Sequence, residues 1–192
     1  MPIVTGANDG ASSSAARERL RRIIQTESLR SGGEFRLASG KTSKMFFDLK
    51  KTVLDPEGAN LIADAVLALL KDDRPDFIGG LEMGAVPVVQ AICTKSFPEN
   101  PIRGFFVRKE LKGHGTNQSI EGHLSDGARV VVLEDVTTTG GSALKAVAAV
   151  EGRGCRVDRV ITIVDRLEGA KENLAQRGIT LLALFTKDDF AK

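Results

Sequence analysis

Two adjacent carboxylates, Glu134 and Asp135, stand directly before a run rich in hydroxyls and glycine: Val136, Thr137, Thr138, Thr139, Gly140, Gly141 and Ser142. Val130 to Leu133 ahead of them form an unbroken apolar run, the pattern of a buried strand, and an Ala/Leu/Val-rich helical stretch begins at Ala143. Strand, acids, polar turn and helix in that order make an anion site. Backbone N–H groups at a helix start point at the anion, and the helix dipole adds to the attraction. Glycine admits the ligand close to the backbone, and threonine and serine hydroxyls add donors. The two acids narrow the ligand further. They would repel a bare phosphate, but they suit a phosphorylated sugar, whose hydroxyls they can accept from, or a phosphate accompanied by a divalent cation.

A second segment, FVRKELKGHG from Phe106 to Gly115, sets Arg108, Lys109, Lys112 and His114 against one acid, Glu110, with Gly113 and Gly115 flanking the histidine. A movable cationic loop beside a phosphate site is what the departure of pyrophosphate requires. Cations stabilise the charge growing on the leaving group, and closure excludes water. Taken alone, such a run is equally consistent with a solvated surface loop. A third residue of interest is Arg166, which follows the apolar stretch Val157 to Val164. Its planar guanidinium can give a carboxylate two parallel hydrogen bonds, which lysine cannot; a surface salt bridge is the plainer alternative.

These groups need a frame. Ala15 to Leu29 reads as an amphipathic helix ended by Gly32 and Gly33, and residues 34–48 as two short strands around a Ser-Gly-Lys turn. Asp55-Pro56 opens a helix that runs to Leu70. Beyond it strands (Phe77-Ile78, Ile102 to Val107, Val130 to Leu133, Val157 to Val164, Ile179 to Phe185) alternate with helices (Ala85 to Cys93, Ala143 to Val150, Glu168 to Gln176), and residues 108–122 read as a loop. The alternation predicts an α/β fold with a mostly parallel central sheet flanked by helices. Ligands of such sheets bind at the carboxyl ends of the strands. The Glu134–Ser142 turn, Gly79-Gly80, Arg108 and Arg166 all fall at such ends.

The stretch VVVLEDVTTTGGSA (residues 130–143) resembles the phosphoribosyl pyrophosphate (PRPP) signature of the type I phosphoribosyltransferases, and the R-K-E-x-K-x-H-G loop resembles that of one branch, the orotate phosphoribosyltransferases. GEFRLASGKTSKMFFD (Gly33 to Asp48) is similar to that branch's N-terminal hood, and IGGLEMGAVP (Ile78 to Pro87) to its pyrophosphate-contacting loop. The resemblance covers about residues 28–185. It implies a hood over about 15–50 and a core over about 51–192, with residues 1–14 as a flexible tail before a single domain. It implies transfer of the ribose 5-phosphate of PRPP to orotate, giving orotidine 5-phosphate and pyrophosphate on the route to UMP. In that reading Glu134 and Asp135 hold the ribose hydroxyls, and Val136 to Ser142 hold the 5-phosphate, with Thr138 also near the base. Arg108, Lys109, Lys112 and His114 take the pyrophosphate. Arg166, Phe46 and Phe47 border orotate, core packing being at least as good an account of one of the two rings. Lys112, His114, Glu134 and Asp135 are the expected catalytic groups. Mg²⁺ is expected as cofactor, held through PRPP with no direct protein ligand. A homodimer with shared active sites is implied, because a loop lysine reaches the neighbouring subunit. Some relatives carry lysines where this chain has Ala38 and Gly84, and Lys41 or Lys44 is the candidate substitute for the first.

Composition bounds the alternatives. At 192 residues, 42% hydrophobic and 27% charged, the chain has the make-up of a globular domain with a sizeable core. A net charge of +2 argues against a general nucleic-acid binder. Two cysteines without CxxC spacing and two histidines point to a reducing compartment and away from a structural metal. No apolar run approaches a membrane span, and the first residues lack the basic start and apolar block of a signal peptide, so the expected location is cytoplasmic. Ser39 to Ser43 mimics the end of a P-loop, but Phe35 stands where its first glycine belongs, and no G-x-G-x-x-G occurs. A purine- or uracil-specific phosphoribosyltransferase would not need Arg166 or the cationic loop. A PRPP-sensing regulator would be expected to lose those cations or to carry a DNA-binding segment.

Overall fold

The computed structural model describes residues 9–36, 42–110 and 119–191, without the side chains of residues 9–12 and 36. Lys112 and His114 therefore lie outside the described residues, as do Ala38, Lys41 and residues 1–8. The first helix, α1, spans Asp9–Ile23, starting inside the segment expected to be a tail; alanines at 11, 15 and 16 favour helix there. A single wide turn, Ile24–Ser28, follows, with Ile24 and Ser28 buried. The chain then enters β1 (Leu29–Arg36), which pairs antiparallel with β2 (Thr42–Phe47). Gly32 and Gly33 thus do not end a helix. They sit where the β1–β2 register shifts, between Ser31 and Phe35, and so form an irregularity in the hairpin. This hairpin lies within the segment expected to form the hood, and is called the hood.

A short turn of helix, α2 (Lys50–Val53), leads to α3 (Pro56–Leu69), which starts as its sequence dictates. Asp55 Oδ1 accepts from the Gly58 N–H at 2.7 Å, and Pro56 occupies the first turn, where its missing N–H costs nothing. The rest alternates: β3 (Phe77–Leu81), α4 (Ala85–Ser96), β4 (Arg103–Val107), β5 (Ile120–Gly122), β6 (Arg129–Thr137), α5 (Gly141–Glu151), β7 (Arg156–Asp165), α6 (Ala170–Ala175) and β8 (Thr180–Thr186). Strand order is β5-β4-β3-β6-β7-β8, parallel except for β5. The three residues of β5 fall within the expected 108–122 loop. So short a strand has no periodicity to read, and only pairing with the edge of β4 defines it.

Pleating sorts the core. On β6, Val131 and Leu133 face a cluster that holds Ile62 and Val66 of α3 and Val88 and Ile92 of α4. Val130 and Val132 face the opposite cluster, with Ala146, Val147 and Val150 of α5 and Leu174 of α6. The hood is tied to the first cluster through Phe47, whose ring meets Phe190 edge-on at 5.3 Å. Ile92 is completely buried there. Ile92→Ala should therefore cost about 2–5 kcal/mol of stability, from lost transfer energy plus a residual cavity. Urea denaturation checks this, with the midpoint falling and the slope unchanged.

Candidate active site at the carboxyl ends of β3 and β6

The connection after β3 runs through α4 to β4 on one side, and the connection after β6 runs through α5 to β7 on the other. The carboxyl ends of β3 and β6 are thus the point where winding reverses, the place where open α/β sheets form a ligand crevice. β6 pairs with β3 only as far as Val132 but with β7 as far as Thr137. Glu134 and Asp135 therefore lie inside a strand supported on one side, and not beyond its end as the apolar run alone suggests.

Because successive side chains of a strand point to opposite faces, the two acids serve different neighbours. Glu134 shares the face of Val132 and is met by the Ala143 N–H of α5. Asp135 shares the face of Leu133. It lies against Gly84, just before α4, where a Cβ would come within 2.4 Å of Asp135 Oδ1. That close approach leaves no room for a side chain at Gly84 unless Asp135 moves. Lys50 at the start of α2 is near enough to favour the ionised form of Asp135, and its Nζ is 2.7 Å from Asp48 Oδ1.

Glu134 is only 9% exposed. Burial and then the Asp135 charge push its carboxyl up to about 8, against the pull of Lys109 and of the Ala143 N–H. Burial also raises Asp135, against its bond from the Val136 N–H (2.9 Å) and the charge of Lys50.

The turn after the acids is braced from α6. Asn173 Nδ2 donates to the Thr139 carbonyl at 2.8 Å, and Gly140, in the left-handed region at φ 81°, turns the chain into α5. Helix α5 begins at Gly141, two residues before the expected Ala143, so Gly141 and Ser142 are its exposed first residues, whose amides have no partner within the helix. Thr137 is buried, and its hydroxyl has no hydrogen-bond partner among the described residues. Thr138 and Thr139 are half-buried.

The root of the cationic segment meets the same crevice. The Lys109 N–H donates to Glu82 Oε1 at 3.0 Å, and the Glu82 N–H donates to the Val107 carbonyl at 2.8 Å, which ties the 82–84 loop to β4. Arg108 instead pairs with Glu121 of β5 (2.9 Å) and sits 6.0 Å from the Phe106 ring centre. Arg166 directly follows β7 and is 4% exposed, so it is no surface salt bridge. Its Nε donates to Glu168 Oε1 at 2.9 Å and its Nη2 to Ser43 Oγ of the hood at 2.8 Å. Of the two hood phenylalanines, Phe46 is half-buried and stacked on Phe35 at 5.8 Å, while Phe47 is spent on the core. Sequence reasoning did not single out Glu82, Glu168, Asn173 or Ser43. Glu168, two places from Arg166, could have been found by adjacency. Ser43, 123 positions away, had no local signal.

Residues 51–184 match the phosphoribosyl transferase domain model. An orotate phosphoribosyltransferase of Rhodopseudomonas palustris (strain TIE-1) is 49% identical over 184 residues, covering 93% of this chain and 98% of that protein. That of Aquifex aeolicus is 50% identical, covering 88% and 94%. The crystal structure of the Mycobacterium tuberculosis enzyme in complex with PRPP superposes with a TM-score of 0.75 at 32% identity, covering 92% of each chain.

The raised Glu134 carboxyl has a measurable consequence. Below about pH 4.5 it is protonated both folded and unfolded and contributes nothing. As pH rises, the unfolded chain releases the proton and the folded chain keeps it, so stability falls, and the penalty levels off above about 8. Glu134→Gln should remove this slope. Ligand-free variant and wild type should match near pH 4.5 and diverge in melting temperature up to about pH 8, with the variant the more stable; a constant difference across that range would rule the account out. Fold, signature turn and relatives agree, and the chain belongs to the orotate phosphoribosyltransferases of the phosphoribosyltransferase family.

Proposed function

We propose that the crevice between β3 and β6 holds PRPP, with the cationic segment over its pyrophosphate and Arg166 holding the carboxylate of orotate. The chain is an orotate phosphoribosyltransferase, transferring the ribose 5-phosphate group of PRPP to orotate to give orotidine 5-phosphate and pyrophosphate in pyrimidine biosynthesis. The observation that carries the assignment of residues is the adjacent pair of carboxylates, Glu134 buried and Asp135 half-buried, directly before an open helix start.

The pyrimidine nitrogen attacks the anomeric carbon as pyrophosphate departs, through a sugar that becomes cation-like. Little covalent help is needed, so catalysis rests on position and charge. Glu134 and Asp135 accept from the ribose hydroxyls and favour the positive sugar. Val136, Thr137, Thr138, Thr139, Gly140, Gly141 and Ser142 cradle the 5-phosphate with amides and hydroxyls. Lys109, Lys112 and His114 gather on the pyrophosphate. Arg108 joins them by leaving Glu121, a half-buried partner. Phe46 offers a ring edge to the acceptor. Phe47 acts at one remove, anchoring β2 to the core.

Mg²⁺ fits the donor set as a companion of PRPP. Phosphoribosyltransferases generally use it together with PRPP. Glu134 and Asp135, on opposite faces of one strand, would stand beside such an ion without enclosing it, and Mg²⁺ keeps water readily. When bound, it offsets phosphate charge beside the two acids. The active form in this reading is a cytoplasmic homodimer in which a loop lysine completes the neighbouring site, as the loop resemblance implies. Nucleic acid and membrane play no part. Among the described residues no helix is long and apolar enough to cross a membrane.

Pyrophosphate release with Mg²⁺, PRPP and each of orotate, uracil and hypoxanthine tests the reading, and release with orotate alone is expected. Arg166→Ala should raise the orotate KM at least tenfold, about the worth of a charge-assisted hydrogen bond, and leave the PRPP KM in place; equal loss of both would make Arg166 structural. Lys112→Ala should lower turnover by about two orders of magnitude or more while PRPP still binds in calorimetry. Unchanged turnover would remove the loop from the mechanism.

A further inference from the structure

Arg166 does not reach its place unaided. Its guanidinium is gripped on one side by Glu168, whose side chain is 16% exposed, and on another by Ser43. Ser43 is itself fixed, since its hydroxyl also bonds the Met45 carbonyl (2.9 Å) and accepts from the Met45 N–H (3.1 Å). No described residue accepts from Nη1 of Arg166.

The chain between Arg166 and Glu168 is bent to make this possible. Leu167 has φ 56°, the one described non-glycine residue in the left-handed region, and its side chain is exposed, so packing does not impose the bend. The bend is held by Asp165, whose Oδ1 accepts from the Leu167 N–H at 2.9 Å. Unfavourable backbone is retained where a site over-determines it. Here it folds Glu168 back onto the arginine two residues earlier.

We propose that Glu168 is the positioning residue for acceptor selection. It takes the Nε of Arg166, fixes the plane of the guanidinium, and leaves Nη1 to face the carboxylate of the incoming pyrimidine. A guanidinium on a long stem is selective only when its rotamer is set beforehand, because otherwise the substrate must supply the ordering free energy. Glu168 touches no substrate in this account and acts through Arg166. The inference rests on the reading of Arg166 as the orotate-binding group.

Reach and charge can be separated at this position. Glu168→Asp keeps the charge and draws the oxygen back by one methylene. Glu168→Gln keeps the reach and loses the charge. The orotate KM should rise about tenfold or more in Glu168→Asp and in Glu168→Ala, with the PRPP KM and kcat at saturating orotate little changed, and Glu168→Gln should recover most of the loss. Melting curves identify any variant that fails to fold, and the Asp and Gln variants suffice if Ala does. Three results would overturn the proposal: an orotate KM unmoved in Glu168→Asp, an equal rise in both KM values, or tighter orotate binding in Glu168→Gln, which would make Glu168 a competitor for the arginine. The parallel Arg166→Ala measurement separates the two readings. If it leaves the orotate KM unchanged, the role of Arg166 fails; if it raises that KM and Glu168→Asp does not, positioning alone fails.

Discussion

Withdrawal of two adjacent carboxylates from water at the mouth of the sheet, Glu134 buried and Asp135 half-buried, is the constraint to which this end of the molecule answers. A carboxylate withdrawn from water resists ionisation, and a second one beside it resists more. The ligand-free protein meets that cost only in part, with one backbone N–H on Glu134, two on Asp135, and the charges of Lys109 and Lys50 at a remove. The shortfall remains in the raised Glu134 carboxyl, about 8 against an ordinary 4.5. A ligand that brings hydroxyl donors and a companion cation relieves it. A bare anion would aggravate it. In the proposed reading the site would therefore select by charge before any contact is counted.

The pleat of β6 decides how the relief is shared. Consecutive residues of a strand cannot present both side chains to one face. Glu134 goes to the α5 side, under the helix start, and Asp135 to the α4 and hood side, against Gly84 and within the field of Lys50. A sugar that engages both, as proposed, must straddle the end of the strand, with its phosphate toward the start of α5. One backbone rule would thus orient the proposed donor substrate, with pairing to β7 through Thr137 supporting the strand there.

Much of this was legible in the residues. Apolar runs bounded by glycine and proline gave the order of strands and helices, and Asp55-Pro56 gave a helix start that the capping bond explains. The acids, the threonine run and Arg166 were recognisable because each is a local pattern. What escaped was non-local or marginal. β6 continues through the acids because β7 pairs with it, which no property of Glu134 or Asp135 announces. Gly32 and Gly33 look like a helix stop and are instead a hairpin irregularity, since both roles use the same freedom of the backbone. The division of Phe46 and Phe47 between hood surface and core depends on Phe190, far along the chain.

Coupling of the hood to the core follows from the same non-local bonds. The hairpin is fastened twice, by Phe47 in the apolar cluster and by Ser43 on Arg166. The first contact is non-directional and tolerates small shifts. The second is directional, and it sits at the arginine proposed to read the acceptor. A displacement of β2 that the apolar contact would absorb is therefore felt at the guanidinium, which loses one of its two fixed partners. The donor half of the site is insulated from such movement, because its turn is braced by Asn173 from α6, on the opposite face of the sheet. In the proposed reading the acceptor carboxylate and the 5-phosphate turn are thus held by separate parts of the fold, and Asp135, on the hood side of the sheet, is the point where the two halves meet.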